Sequence, residues 1–179
     1  MAGRPIDARG WIFEVEDHAA PDTWLRIGKL KSWNVNPGEN EETADTTTFD
    51  SEGHYEQDVM QRGATLSLEG LYAATSGTQD PGQAYIDDVW AYRLGEESRG
   101  RMRYRHTSQT TWAVWECTVT PGEAGGETND KTSWAATFTR CGAPTSAAVT
   151  VPAGFTTLAA TDTQGDKTLA AADTKGGTK

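Results

Sequence analysis

Residues 64–72 read ATLSLEGLY, an alternation that places Leu66, Leu68 and Tyr72 on one side and Thr65, Ser67 and Glu69 on the other. Period-two alternation of this kind specifies a half-buried antiparallel strand, on the order of 30 Å long at about 3.3 Å per residue. The run before it, GENEETADTTTFDSEGHYEQDVMQRG, supplies as large apolar side chains only Phe49, Tyr55, Val59 and Met60. That is too little apolar surface for a subdomain of its own, and structureless connections beyond about 12 to 15 residues are uncommon in compact domains unless they serve a function. Whatever the chain folds into must therefore carry a long polar loop over residues 36–62.

The neighbouring segments repeat the strand signal. Trp11 to Val15 (WIFEV) is one candidate strand, and Trp24 to Val35 (WLRIGKLKSWNV) is another, broken by a turn at Gly28 and closed by Asn36, Pro37 and Gly38. Arg101 to His106, Thr111 to Thr120 and Lys131 to Cys141 complete the set, the last two joined by the Gly-rich PGEAGGETND. Between the two groups lies one helix signature over residues 81–95, with Asp80 as N-cap, Pro81 in the first turn and Gly95 as the stop. Tyr85, Ile86, Val89, Trp90 and Leu94 share a stripe on it at spacings of three and four. Strands, one helix, then strands make the chain mainly β, an antiparallel β-sandwich or open barrel with one packed α-helix.

The 179 residues suffice for one domain with a core of its own, here over residues 1–142, and the seven Trp, five Tyr and four Phe provide few but bulky anchors for it. Residues 143–179 shift to Ala, Thr, Gly, Asp and Lys and hold a near-duplication, TLAATDTQGDK followed by TLAAADTKGGTK. Such a segment buries little apolar surface against its ordering entropy, so a flexible tail is expected, preceded by a short strand at Ala147 to Val151.

Several functions are disfavoured by composition and spacing. A formal charge of −10 opposes the phosphate neutralisation on which nucleic-acid binding depends. No basic segment followed by an apolar one opens the chain, and no run of about 18 apolar residues occurs, so neither export by a cleaved signal nor membrane insertion is expected. Cys117 and Cys141 lie on different strands without metal-ligand spacing; they could face each other across a strand pair, but without a secretion signal they read as core residues. His18, His54 and His106 show no zinc-binding spacing and read as surface residues, and no phosphate-cradling or nucleophile-elbow motif is present. The acid pairs Asp87–Asp88, Glu41–Glu42 and Glu96–Glu97 do not face each other as glycosidase carboxylates do, and Asp45, Asp50 and Glu52 near Gly53 miss the spacing of an EF-hand loop. No catalytic residue, metal site or cofactor is expected. The tryptophans leave a carbohydrate-binding β-sandwich open as an alternative, although Trp115 and Trp134 alternate with small residues as core anchors do.

The order of features resembles a known family. An early strand pair, a long polar loop holding DTTTFDSEGHYEQDVMQRG, the strand ATLSLEGLY, the helix start QDPGQAYIDDVWAYRLG and the closing WAVWECTVTPGEAGGETNDKTSWAATFTRCG are together similar to the major tail tube proteins of long-tailed, lambda-type bacteriophages (siphoviruses), over about residues 10–142. The resemblance implies a structural virion protein without enzymatic activity. Its copies would form hexameric rings that stack into the hollow conduit for genome DNA, which passes without specific binding. It implies tape-measure, tail-terminator and tail-tip or baseplate proteins as further partners, assembly in the host cytoplasm, and a final place in the virion. The tube component of a type VI-like injection apparatus is similar and remains an alternative. On this resemblance the long loop reaches a neighbouring subunit or ring, which makes Asp45, Thr46, Thr47, Thr48, Phe49, Asp50, Gly53 and Tyr55 interface candidates. Glu56, Asp58, Thr65, Ser67 and Glu69, taken as one polar face of the 55–72 segment, become candidates for an acidic lumen that repels DNA phosphates.

Overall fold

The structure is a computed structural model and describes residues 5–150. Its elements in chain order are β1 (Trp11–Glu16), β2 (Trp24–Arg26), β3 (Leu30–Asn36), β4 (Glu42–Asp45), β5 (Gln57–Gln61), β6 (Thr65–Leu71), β7 (Ala74–Thr75), β8 (Thr78–Gln79), α1 (Pro81–Asp88), β9 (Gly100–His106), β10 (Thr111–Pro121) and β11 (Ser133–Ala148). Seven of the strands form one sheet in the order β2-β1-β9-β10-β11-β6-β3, with every ladder antiparallel. The fold is mainly antiparallel β with one α-helix, as the periodicity requires.

The alternation in each strand decides which face is buried. Phe13 and Val15 on β1, Leu66 and Leu68 on β6, Met102 on β9, Trp115 and Cys117 on β10, and Trp134, Ala136 and Phe138 on β11 meet in a single core. The sheet curls around them. Trp33 on the edge strand β3 lies 4.7 Å, centroid to centroid, from Trp11 and 5.8 Å from Phe13, both on β1 near the opposite edge. The result is an open barrel whose seam is closed by aromatic rings, with no backbone ladder between β1 and β3.

Helix α1 covers the core with Tyr85 and Ile86, and Trp90 follows from the turn after it. Asp80 caps the helix by accepting from the Gln83 backbone N–H at 3.2 Å. The helix can approach the sheet because residue 82 is glycine: a Cβ there would meet the Arg26 carbonyl oxygen at 2.5 Å.

Four expectations are corrected. The helix ends at Asp88, where Val89 leaves helical geometry (φ −120°), and the chain continues through short 3-10 turns at Trp90–Tyr92 and Gly95–Ser98. That break turns the Trp90 indole inward, its N–H donating to the Ser98 carbonyl at 2.7 Å, while Leu94 stands exposed. The domain does not stop at Gly142, because β11 runs on to Ala148 and pairs with the first half of β10. The extra residues are absorbed in a bulge opposite Val114–Glu116, where Gly142 takes a φ of +75°. His106 is buried, its ring nitrogens 2.7 Å from the Ser108 hydroxyl and 3.0 Å from the Asp7 carbonyl. Of the two cysteines read as core residues, Cys117 is in the core but Cys141 is only half-buried: their partners across the ladder are Arg140 and Glu116, so strand alternation puts the two free thiols on opposite faces. The expected flexible tail from residue 151 onward lies outside the described residues.

Candidate assembly and channel surfaces

The polar run between β3 and β6 is a hairpin arm. β4 and β5 pair only with each other, and every residue of β5 is exposed. The sequence hides these strands because neither carries an apolar face; backbone bonds alone hold them. The tip is nevertheless well specified. Thr47 Oγ1 accepts from the Glu56 N–H at 3.1 Å, Thr46 N–H donates to the Glu56 carbonyl at 3.0 Å, and Asp45 accepts from the Thr47 N–H at 2.9 Å. Hydrogen bonds from the Thr47 side chain and backbone hold the exposed Asp45 carboxyl below the usual aspartate value. Ser51 is buried within the tip and accepts from the Thr48 N–H at 3.0 Å, closing a 3-10 turn that Gly53 then reverses at φ +84°. This scaffold presents Phe49 with its ring fully exposed and Asp50 beside it, with exposed Tyr55 donating to Gln57 at 3.0 Å. All eight residues assigned to an interface from the sequence thus sit in the outer part of one arm.

The five lumen candidates are not brought together. Glu56 and Asp58 belong to the arm, Asp58 opposite Ala44, whereas Thr65, Ser67 and Glu69 belong to β6 in the main sheet. The segment 55–72 is not one strand, because the chain turns between β5 and β6 at Arg62–Ala64. What surrounds Thr65, Ser67 and Glu69 is a surface that sequence reasoning missed. Their ladder partners are Asn36, Asn34 and Ser32 on β3 and Thr139, Thr137 and Ala135 on β11, with Thr118 and Thr120 of β10 beyond. Ser67 and Thr137 hydroxyls lie 3.3 Å apart, and Ser32 donates to Glu69 at 2.8 Å. The outer side of β11-β6-β3, with Thr118 and Thr120 of β10, is thus mostly a hydroxyl and amide surface in which Glu69 is the charge at the centre, bordered by Glu116 on β10 and by the exposed Lys31 on β3. The alternation of these strands was legible; the register that sets them side by side was not.

The other half of the outer face is locked by charge and aromatic contacts. The Arg103 guanidinium lies 4.1 Å from the Trp24 ring and 4.3 Å from the Trp112 ring, and it pairs with Glu14 at 2.6 Å. None of the seven tryptophans is an exposed platform: Trp90, Trp112, Trp115 and Trp134 are buried, and Trp11, Trp24 and Trp33 are half-buried. That removes the feature on which a sugar-binding reading rested. Lysine keeps the charge but lacks the planar fork and the stacking surface, so Arg103→Lys is expected to lower stability by about 1 to 2 kcal/mol in urea titrations.

Among the described residues no group of three or more His, Cys, Asp or Glu is placed to hold a metal ion, and no helix is long and apolar enough to cross a membrane. No family model matches the chain, and no curated protein does. Solved structures do. A chain from the tail of an empty gene transfer agent (GTA) particle, determined by helical refinement with C6 symmetry, matches at a TM-score of 0.61 and 14% identity, over 80% of this chain and 100% of that one. The two chains share one fold. A chain from the virion of a native GTA particle matches with the same coverage, at a TM-score of 0.57 and 15% identity. At this identity the likeness lies in the fold, and the GTA tail fold agrees with the phage-tail architecture implied by the ordered features of the sequence.

Proposed function

We propose that the chain is a structural subunit of a phage-like tail, whose copies close into six-membered rings that stack into a hollow tube for genome DNA. The observation that carries this reading is the likeness to the whole length of a chain in a C6-symmetric helical tail. Two surfaces of the chain support it. The arm exposes Phe49, Met60 and Tyr55 to water on a hairpin whose strands, among the described residues, pair only with each other, which a contact with another copy would repair. The hydroxyl surface suits a channel wall for a polyanion, since the ladder of Asn34, Asn36, Thr65, Ser67, Thr137 and Thr139 carries no Lys or Arg to hold a phosphate and Glu69 beside it is a carboxylate to repel one.

On this reading Asp45, Thr46, Thr47, Thr48, Phe49, Asp50, Gly53 and Tyr55 meet a neighbouring subunit, now joined by Glu56 and Asp58 from the same arm. Thr65, Ser67 and Glu69 line the channel together with Ser32, Asn34, Asn36, Thr137 and Thr139. The chain acts without catalysis, in a virion tail of the siphovirus kind, with its own copies and the tape-measure, terminator and tip proteins as partners. It is assembled in the host cytoplasm. Negative-stain electron microscopy across a concentration series is the test. Rings or hollow tubes with six-fold end views are expected, and monomeric particles alone up to the solubility limit would overturn the reading.

A further inference from the structure

The arm and the barrel seam differ in charge and match in shape. Between Ser32 and Gln61 the chain contains no Lys or Arg, and all its fixed charges are Asp or Glu. At the far end of this acidic arm stands the exposed Phe49 ring, flanked by Asp50 and Glu52. At the seam, a cavity of about 290 Å³ is floored by Trp11, Phe13, Leu30 and Trp33 and rimmed by Arg9 and Lys31, and no acidic residue lines it. It exceeds the roughly 150 Å³ that holds a benzene ring. Arg9 and Lys31 are exposed, and neither has an ion-pair partner among the described residues.

We infer that the arm tip of one copy seats in the seam cavity of a second copy, with Phe49 on the aromatic floor and Asp50 and Glu52 against Arg9 and Lys31. The inference rests on the tail assembly proposed above and adds its receptor. Other concavities fit the acidic tip less well. The one at the arm's root sets Glu39, Glu41 and Glu42 against Arg62 and Arg140, the one beside Lys131 contains Glu127 and Asp130 and no aromatic ring, the one beside Tyr92 contains Asp87, and the one between Arg101 and Glu16 is spanned by their 2.9 Å ion pair. The two halves of the contact also lie toward opposite ends of one strand, since the cavity borders Leu30–Trp33 and the arm departs after Asn36. A contact from one end of β3 to the other end of its copy is head-to-tail, and repetition of such a contact builds an open stack.

The test has two parts. Copies carrying Asp50→Cys are mixed with copies carrying Ala8→Cys, both in a Cys141→Ser background, and treated with a short bismaleimide. A heterodimer is expected, and a yield no higher than that from a Thr120→Cys control would overturn the contact. In parallel, Arg9→Glu with Lys31→Glu, or Asp50→Lys with Glu52→Lys, is expected to reduce assembly about tenfold at low salt, and all four changes in one chain should restore it. All four residues are exposed, so the fold survives these changes. Tubes that form normally despite either reversal would remove the contact and leave the tail reading standing. The heterodimer without tubes in the wild type would keep the contact and remove the tube.

Discussion

On the proposed assembly, replacing residues 38–62 by two glycines is expected to yield a chain that folds but forms no tubes. The body supplies its own stability: no side chain of the arm belongs to the core, and the arm's strands pair only with each other. The Arg62–Glu41 pair at the root, 3.3 Å long and exposed, contributes little. The cut ends are already neighbours, because Asn36 on β3 is paired with Thr65 on β6. Pro37, the two glycines, Gly63 and Ala64 then form a hairpin loop of about five residues, a length that antiparallel strands accept. The melting temperature should stay within about 5 °C of the parent, since loop shortening of this kind changes stability only slightly. The assembled fraction, read by sedimentation and negative stain, should fall by at least about a hundredfold, because a stack has no continuation without its head-to-tail contact. Tubes at the parental level would take the arm out of the assembly.

Much of the barrel was legible because the core residues alternate. Leu66 and Leu68, or Trp134, Ala136 and Phe138, announce the buried face of their strands with no help from elsewhere in the chain. The start of α1 was equally local, fixed by Asp80 and Pro81. Its end was not, because the side chains after Asp88 continue the helical stripe while Trp90 is drawn out of it by the core and by the Ser98 carbonyl. The extension of β11 past Gly142 was hidden for a related reason: glycine reads as a stop, and only the partner strand β10 reveals it as a bulge.

The candidate surfaces divide along the same line. The arm announced itself as a polar run too long to be idle, but its two strands carry no periodicity that a sequence can show. The assignment of Glu56 and Asp58 to the face of Glu69 failed because it assumed one continuous strand through Arg62–Ala64. The hydroxyl surface needed register as well as alternation, since Ser32 and Glu69 are far apart in the chain and meet only through the β3–β6 ladder.

Gln83→Leu should be strongly damaging although it keeps the side-chain volume. Gln83 is fully buried, yet its amide is satisfied on both sides. The oxygen accepts from the Ala73 N–H at 3.0 Å, and the nitrogen donates to the Gly28 carbonyl at 3.1 Å and the Leu71 carbonyl at 3.0 Å. One side chain thereby ties the first turn of α1 to the β2–β3 turn and to the end of β6. Leucine fills similar volume and leaves three backbone groups without partners, at about 1 to 3 kcal/mol each before relaxation, so a loss of roughly 3 to 5 kcal/mol is expected. For a body of this size that is about 8 to 15 °C in melting temperature. Gln83→Glu separates hydrogen bonding from packing. Its carboxylate would face two carbonyl oxygens in a buried site, which raises the folded-state pKa above the unfolded value. The penalty is then small where the acid is protonated and can donate, and it grows as pH rises through the unfolded-state pKa toward the folded one. Gln83→Glu should therefore lie closer to the parent at pH 4 than at pH 8, whereas Gln83→Leu should be equally impaired at both. A loss below about 1 kcal/mol for Gln83→Leu would show that these backbone groups find partners without the amide.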